Sequence, residues 1–578
     1  MPEVVGFVHG EVKPTSFDIL VENKRLAENG VYIKIHHEMY GWVLGQISYI
    51  RRNWDDRRGV EKILARVRII GYKDAQGIIR LPKTPFKPEE RVFRAHQALT
   101  KSILGLDNCG AAGLYVGTLD GEDGIKVFLD ANKLIQKHLS VLAKTGAGKS
   151  YTVGVLLEEL ADKEVPCVII DPHGEYYSLK VPNNNPKDME KFARFGVSPK
   201  GFGNVMEYTP DLSINPRADH EFKLSDKNME AREILDILPV SVTAGQQALL
   251  YQAVNELKGA ISGDYNLEYI IGHLQLSDTN AKWGLIAGMQ SLLDTNIFSS
   301  DSVTLEDIAK KGQMTIINLK GIKPEMQELV VAKLAKDLFA ARKQDKVPAF
   351  FMLIEEAHRF CPERGVGTAM SLPILRTVAA EGRKFGMGLG IVTQRPAKVD
   401  KNVLSQANTQ IILKVTNPND INAISKSLEN FTPELEDMMK NLVMGTALLS
   451  SENLERPVLT NIRVRRSMHG GAAVDLIKTR AASKGIIVPK KSSPPAQEEK
   501  SEGIGANIIK KVPFVGNKDS NKSDAPISQE AREREEWKEN LTPDEMDYLK
   551  AEKKTGITVR SRFIYKIKGF FIEEDEDF

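Results

Sequence analysis

The sequence predicts an α/β chain: a largely parallel sheet with a helical insertion, preceded by a small N-terminal β-barrel. Three observations predict it. Short alternating apolar runs fill residues 1–95. A buried strand at 138–143 runs into the glycine-rich turn AKTGAGKS (143–150) and then a helix. Apolar β-rich runs return after a helical stretch, each followed by helix or loop.

Length and composition bound the reading. A chain of 578 residues exceeds one core, and at about 100–200 residues per domain it holds several. The hydrophobic fraction of 42% and charged fraction of 27% belong to a globular chain, not a collagen-like or wholly disordered one. No apolar run approaches the ~18–20 residues of a membrane span. The first residues, MPEVVGFVHGEVKP, carry no signal-peptide pattern, and three cysteines make no disulfide framework or metal spacing. A cytoplasmic location without membrane partners is expected. The net charge of +2 excludes binding to nucleic acid by bulk positive charge.

The elements follow in order. Residues 1–95 carry strand patterns in VVGFVH (4–9), GVYIKIH (30–36), GWVLGQISYI (41–50) and KILARVRIIGY (62–72), where Ala65, Val67 and Ile69 face one way and Arg66 and Arg68 the other. The basic run 51–68 reads either as a solvated strand face or as a docking face. Residues 96–215 form the first part of an α/β core, with strands HLSVLA (138–143) and PCVIID (166–171). Between them lies a helix whose Val153, Leu156, Leu157 and Leu160 share a face. Residues 216–309, including FKLSDKNMEAREILDIL, read as helical almost throughout. The core resumes over 310–470 with MTIINLK (314–320), AFFMLIEE (349–356), GLGIVTQ (388–394), TQIILKV (409–415) and GTALLSS (445–451). Residues 471–578 are polar and proline- and serine-rich, a linker-like tail with one helix-capping box at Thr542-Pro543-Asp544-Glu545.

The turn at 143–150 is a phosphate-binding loop by context. Gly146 and Gly148 allow the tight backbone turn that aims successive N–H groups at an anion, and the helix N-terminus favours negative charge. Ala143 stands where the pattern usually has glycine. Lys144, Thr145, Gly146, Ala147, Gly148, Lys149, Ser150 and Tyr151 are the expected nucleotide-binding residues. Lys149 reaches the β- and γ-phosphates, and Ser150 with Glu355 holds Mg²⁺. Glu356, next on the strand tip, is the expected base that activates water. Gln394 ends another strand and is placed to contact the γ-phosphate or the water. Arg383 precedes that strand and is the candidate to stabilise charge in a neighbouring subunit's site, with Arg376 and Lys384 as rivals. Asp171 and Glu175 either support the site or cap a local turn. These residues together make an additional-strand P-loop ATPase that takes ATP and Mg²⁺.

Several ordered segments carry a resemblance to a known family: HLSVLAKTGAGKS, VIIDPHGEY, LIEEAHRF, EGRKFGMGLGIVTQRP, NPNDINAISKS, GTALLSSENLERP and VRRSMHGG. Over roughly residues 1–475 the chain resembles the HerA family of the HerA–FtsK class. That resemblance implies an N-terminal HAS-type barrel, a RecA-like core with an inserted helical bundle, and a hexameric ring that moves on double-stranded DNA. It further implies a NurA-type nuclease as partner and a place in double-strand-break processing and end resection. Arg359 and Arg364, after the paired glutamates, are candidates to line a DNA pore. Two other readings stay open: an ATP-dependent protein remodeller, and a non-motor scaffold whose ATP site gates recruitment of a nuclease.

Overall fold

Alternating strands at the N-terminus close on themselves. The computed structural model describes residues 3–55, 60–106, 109–260, 263–428 and 432–470. In it β1 (Val4–Val12), β2 (Ser16–Val21), β3 (Tyr32–His37), β4 (Gly41–Asp55), β5 (Val60–Lys73), β6 (Ile79–Arg80) and β7 (Arg91–Arg94) form one antiparallel sheet. Its order is β2-β1-β7-β3-β4-β5-β6, and β2 also pairs with β5, so six strands complete a barrel and β6 hangs on its edge. Closure leaves no free edge among the six. Val5, Phe17, Ile33, Ile35, Val43, Ile47, Ala65 and Val67 fill the interior. Ala65, Val67 and Ile69 are buried and Arg66 and Arg68 point outward, as the alternation requires. In the basic run, Arg51 and Arg66 share Asp18 at 2.7 and 2.5 Å, and Arg52 pairs with Glu61 at 3.1 Å. Three arginines of the run thus have carboxylate partners on the barrel itself.

The core opens with α1 (Gln97–Leu104), the hairpin β8 (Gly113–Leu119) and β9 (Glu122–Asp130), and α2 (Ala131–Lys137). Then come β10 (Leu139–Leu142), α3 (Lys149–Asp162), β11 (Cys167–Asp171), α4 (Met189–Phe195) and β12 (Val205–Thr209). Two-residue strands β13 (His220–Glu221) and β14 (Leu224–Ser225) lead to helices α5 (Ala231–Ile237), α6 (Ala244–Ala260), α7 (Leu267–Gln275) and α8 (Lys282–Leu293). After β15 (Phe298–Ser299) and α9 (Leu305–Ile308) the core resumes with β16 (Met314–Asn318), α10 (Pro324–Lys343), β17 (Phe350–Ile354), α11 (Leu372–Phe385) and β18 (Met387–Thr393). It ends with β19 (Thr409–Ile412), β20 (Thr446–Ser450) and β21 (Val458–Ile462).

The twelve-stranded sheet has the order β13-β12-β16-β11-β17-β18-β10-β19-β20-β21-β8-β9. Neighbours from β13 to β19 are parallel and those from β19 to β9 antiparallel. The parallel strands β10, β11, β16, β17 and β18 are buried along their whole length, which is why they read as continuous apolar runs. Val153, Leu156, Leu157 and Leu160 of α3 are fully buried against the sheet.

One expectation is corrected. The segment FKLSDKNMEAREILDIL is not one helix. Leu224 and Ser225 pair in parallel with Phe298 and Ser299, Asn228 takes a positive φ of 52°, and helix α5 starts only after Glu230, whose capping box with Glu233 sets its first turn. The sheet is largely parallel, as expected, with an antiparallel part from β19 to β9. Residues 114–129, LYVGTLDGEDGIKVFL, form the β8–β9 hairpin around Asp120–Gly121, a D-G turn signal that sequence reading passed over. The tail from residue 471, with its capping box, lies outside the described residues.

Candidate functional site

The parallel strands all deliver their C-terminal ends to one edge, and the site forms there. β10 leads into the turn 143–148, where Gly146 and Gly148 have φ of 76° and 93°. An added Cβ at either would meet nothing, so it is the left-handed backbone, not space, that calls for glycine. α3 then begins at Lys149. β18 lies between β10 and β17, so Gln394, at its tip, comes between the glycine-rich turn and the paired glutamates that follow β17.

The Lys149 ammonium is 2.6 Å from Glu356 Oε1 and 3.3 Å from Glu355 Oε1. Burial alone would lower the Lys149 pKa, but the two carboxylates outweigh it and hold the ammonium firmly charged. Glu355 is nearly inaccessible, at 1% exposure. Its Oε1 accepts from the Tyr176 hydroxyl at 3.2 Å and the Ser150 hydroxyl at 3.4 Å, while its Oε2 has no hydrogen-bond partner. Burial pushes its carboxyl up to about 7; Lys149 opposes the shift, and Glu356 and Asp171 add to it. Glu356 stands in the left-handed region at φ 51°, an uncommon backbone for a non-glycine residue. Its Oε2 lies 3.4 Å from Gln394 Nε2 and 3.3 Å from His358 Nδ1. The Thr145 hydroxyl donates to Gln394 Oε1 at 2.5 Å. Side chains more than two hundred residues apart thus join in one chain of contacts, Thr145–Gln394–Glu356–Lys149.

A cleft of about 1210 Å³ opens over this cluster. Every expected nucleotide-binding residue, Lys144 to Tyr151, lines it, together with Glu355, Glu356, Gln394 and Glu175. Asp171 behaves as a turn cap: it is buried, and its carboxylate accepts from the backbone N–H of His173, Gly174 and Tyr176. Burial still pushes it up to about 6. Arg383 lies near the end of α11, just before β18 begins, and so at the opposite end of that strand from Gln394. It is exposed, with no hydrogen bond or ion pair from its guanidinium to a described residue. Its rival Arg376 is tied to Asp400 at 2.5 Å; Lys384 is exposed. Arg359 is half-buried over the Phe360 ring and Arg364 is exposed; neither lines the cleft.

Two features escaped sequence reading. His358, two residues past Glu356, bridges it to Thr393 Oγ1 at 3.1 Å, and burial lowers the imidazole's pKa. The other is residues 463–470, which return from β21 across α3. Arg463 is fully buried and pairs with Glu158 and Glu159, each at 2.8 Å. Glu158 also accepts from Ser467 N–H and Oγ at 2.8 and 2.7 Å. The adjacent acids Glu158–Glu159 on an otherwise apolar helix were the available signal.

Among the described residues no group of three or more His, Cys, Asp or Glu forms a metal cage. One hydroxyl and one carboxylate beside a phosphate site suit Mg²⁺, which keeps several waters and shares substrate phosphates. Ser150 facing Glu355, with Glu355 Oε2 left without a partner, fits that ion.

Residues 114–338 match the central domain of the helicase HerA. Over most of its length the chain is similar to proteins named as HerA helicases. The DNA double-strand break repair helicase HerA of Pyrococcus furiosus is 25% identical, over 82% of this chain and 94% of that one. The HerA of Saccharolobus solfataricus is 24% identical over 82% and 95%. A probable HerA of Methanocaldococcus jannaschii is 28% identical over 72% and 88%. Among solved structures, VirB4 of Thermoanaerobacter pseudethanolicus aligns at a TM-score of 0.42 and 14% identity, covering 61% of this chain and 97% of VirB4. Among the described residues no helix is long and apolar enough to cross a membrane.

Proposed function

We propose that this chain is an ATP-driven translocase and helicase on double-stranded DNA, acting in the repair of DNA ends. We further propose that it works as a homohexameric ring with a NurA-type nuclease and the double-strand-break processing complex. The observation that carries the ATPase half is Glu356, a carboxylate held 2.6 Å from the phosphate-loop lysine and in reach of Gln394. The DNA half is supported by the relatives, which are named as break-repair helicases.

In this reading the N–H groups of 144–149 and the Lys149 ammonium hold the β- and γ-phosphates of ATP. Ser150 and Glu355 hold Mg²⁺, which when bound neutralises developing phosphate charge. Glu356 takes the proton from the attacking water, and Gln394, steadied by Thr145, orients that water against the γ-phosphate. His358 fixes the Glu356 carboxylate from its other side. Arg383 acts in the neighbouring subunit's site, since it stands far from its own. Arg359 and Arg364 contact DNA phosphates without reading sequence, so binding weakens as salt rises.

The test is ATP hydrolysis with and without duplex DNA. Duplex DNA should stimulate the native chain severalfold, and Glu356→Gln should bind ATP yet lose about 10²–10⁴-fold in kcat. Stimulation by a folded protein and not by DNA would replace the motor with a protein remodeller. Normal end processing by Glu356→Gln together with the nuclease would replace it with a scaffold.

A further inference from the structure

His138 stands in a backbone conformation that only glycine adopts at ease. It joins α2 to β10 with φ of 61° and ψ of 165°, and only 3% of it is exposed. A side chain kept in such a place needs a reason, and the ring supplies one. Leu389 N–H donates to His138 Nδ1 at 2.9 Å, so Nδ1 carries no proton. Burial lowers the imidazole's pKa and keeps the ring neutral, which leaves its one proton on Nε2. Nε2–H then donates to the Ala379 carbonyl at 3.0 Å. The His138 carbonyl itself accepts from Thr409 N–H at 3.3 Å. One residue thereby pins the start of β10 to β18, β19 and α11.

The contact on α11 falls at a particular carbonyl. Within a helix the acceptor for the amide of residue 383 is the carbonyl four residues before it, that of Ala379. His138 therefore grips the oxygen that also receives the Arg383 amide. Gly382, next to Arg383, lies flat on this junction: a Cβ there would stand 2.5 Å from the Met387 carbonyl oxygen and 3.6 Å from His138 Cε1. The Arg383 side chain is exposed and has no partner among the described residues, so its reach is set by where the last turn of α11 is held. On the other side of His138, β10 runs directly to the phosphate turn and β18 directly to Gln394. We propose that His138 is the positioning residue for Arg383, fixing the end of α11 to the two strands that carry the phosphate turn and Gln394. This rests on the reading of Arg383 as acting in the neighbouring subunit's site, and adds to it what aims the arginine. Lys149 and Gln394 lie beyond the far ends of those strands, so loss of the ring should leave ATP binding in the same subunit intact.

Complementation between subunits of the full chain tests this. His138→Gly suits the backbone and removes the ring. It is expected to bind ATP within about twofold of the native chain and to lose about tenfold or more in kcat. Mixed with Lys149→Ala, it should regain a fraction of native ATP hydrolysis, because the Lys149→Ala subunit brings a well-held Arg383 to an intact phosphate site. Mixed with Arg383→Ala, it should regain nothing, since neither subunit then offers a well-held arginine. His138→Gln sets an acceptor and a donor on one carbon, as the ring nitrogens are set, and should restore part of kcat. Should the glycine variant fail to fold, His138→Asn, whose shorter amide can keep the Leu389 bond and not the Ala379 bond, is mixed in its place. Recovery with Arg383→Ala, no recovery with Lys149→Ala in rings shown to be mixed, a loss of ATP affinity as large as the loss in kcat, or a glutamine variant no better than glycine would overturn the proposal. Arg383→Ala mixed with Lys149→Ala is the control. If that pair does not recover in mixed rings, the reading of Arg383 falls, and the role of His138 with it.

Discussion

Burial and chemistry pull Glu355 in opposite directions. Its position at the tip of β17 removes it from water, and burial raises its carboxyl from the ordinary 4.5 to about 7, while a role beside Mg²⁺ calls for the charged form. The folded chain therefore binds this proton more tightly than the unfolded chain does. The group's contribution to stability is present at low pH and declines as pH rises from about 4.5 to about 7. Glu355→Gln lacks that decline. Its stability relative to the native chain should increase across this window, by on the order of 3 kcal/mol, and level off above it. Thermal melts from pH 5 to 8 check this; a difference that stays flat would show that burial does not strain the carboxyl. The same substitution should abolish Mg²⁺-dependent ATP hydrolysis, the trade of stability for function expected at such sites. Glu356 shows a related strain in its backbone, with a positive φ where glycine would sit at ease.

Among the elements, α3 joins the most distant parts of the chain. Its first turn closes the phosphate turn, its apolar face packs on the sheet, and its Glu158 and Glu159 receive the 463–470 segment. The Arg463–Glu158 pair has no exposure on either side chain, so neither charge falls back on water when the other is removed. Arg463→Ala should destabilise the chain by about 3–5 kcal/mol. Arg52→Ala, at a pair whose arginine is 75% exposed, should cost no more than about 1 kcal/mol. Urea midpoints of the two variants decide it, and similar shifts would mean that Arg465 and Arg466 replace Arg463 at Glu158. Periodicity made the long apolar elements legible: each parallel strand of the core's second half and the buried face of α3 lie where their patterns place them. The stretch before α5 misled because Phe222 and Leu224 have helical spacing with the residues after them, yet their burial comes from the sheet side and the β14–β15 pair. Local pattern carries no information about that partner, which lies some seventy residues on.

For the whole molecule the net charge of +2 and the position of Arg383 point the same way. Among the described residues of the barrel's basic run, Arg51, Arg52 and Arg66 are each paired with a carboxylate. Grip by a few arginines repeated around a ring answers this, and a ring also gives Arg383 an active site to enter. Mixing supplies the check. Arg383→Ala and Lys149→Ala should each be inactive alone, and together they should regain a fraction of native ATP hydrolysis, because some interfaces then join an intact Lys149 to an intact Arg383. No recovery in rings shown to be mixed would remove Arg383 from that role.

By itself the sequence located the glycine-rich turn, the paired glutamates and the strands that carry them. Those features depend on contiguous residues: glycines where φ is positive, apolar runs where a strand is buried, a carboxylate pair at a strand tip. Only the tertiary structure decided which strand lies beside which, and so that Gln394 stands between Thr145 and Glu356, with Lys149 and His358 on the same carboxylate. Only it, too, brought His469 to Tyr151, across more than three hundred residues. Such contacts arise from which faces the chain can bury together, and that is a property of the packed whole.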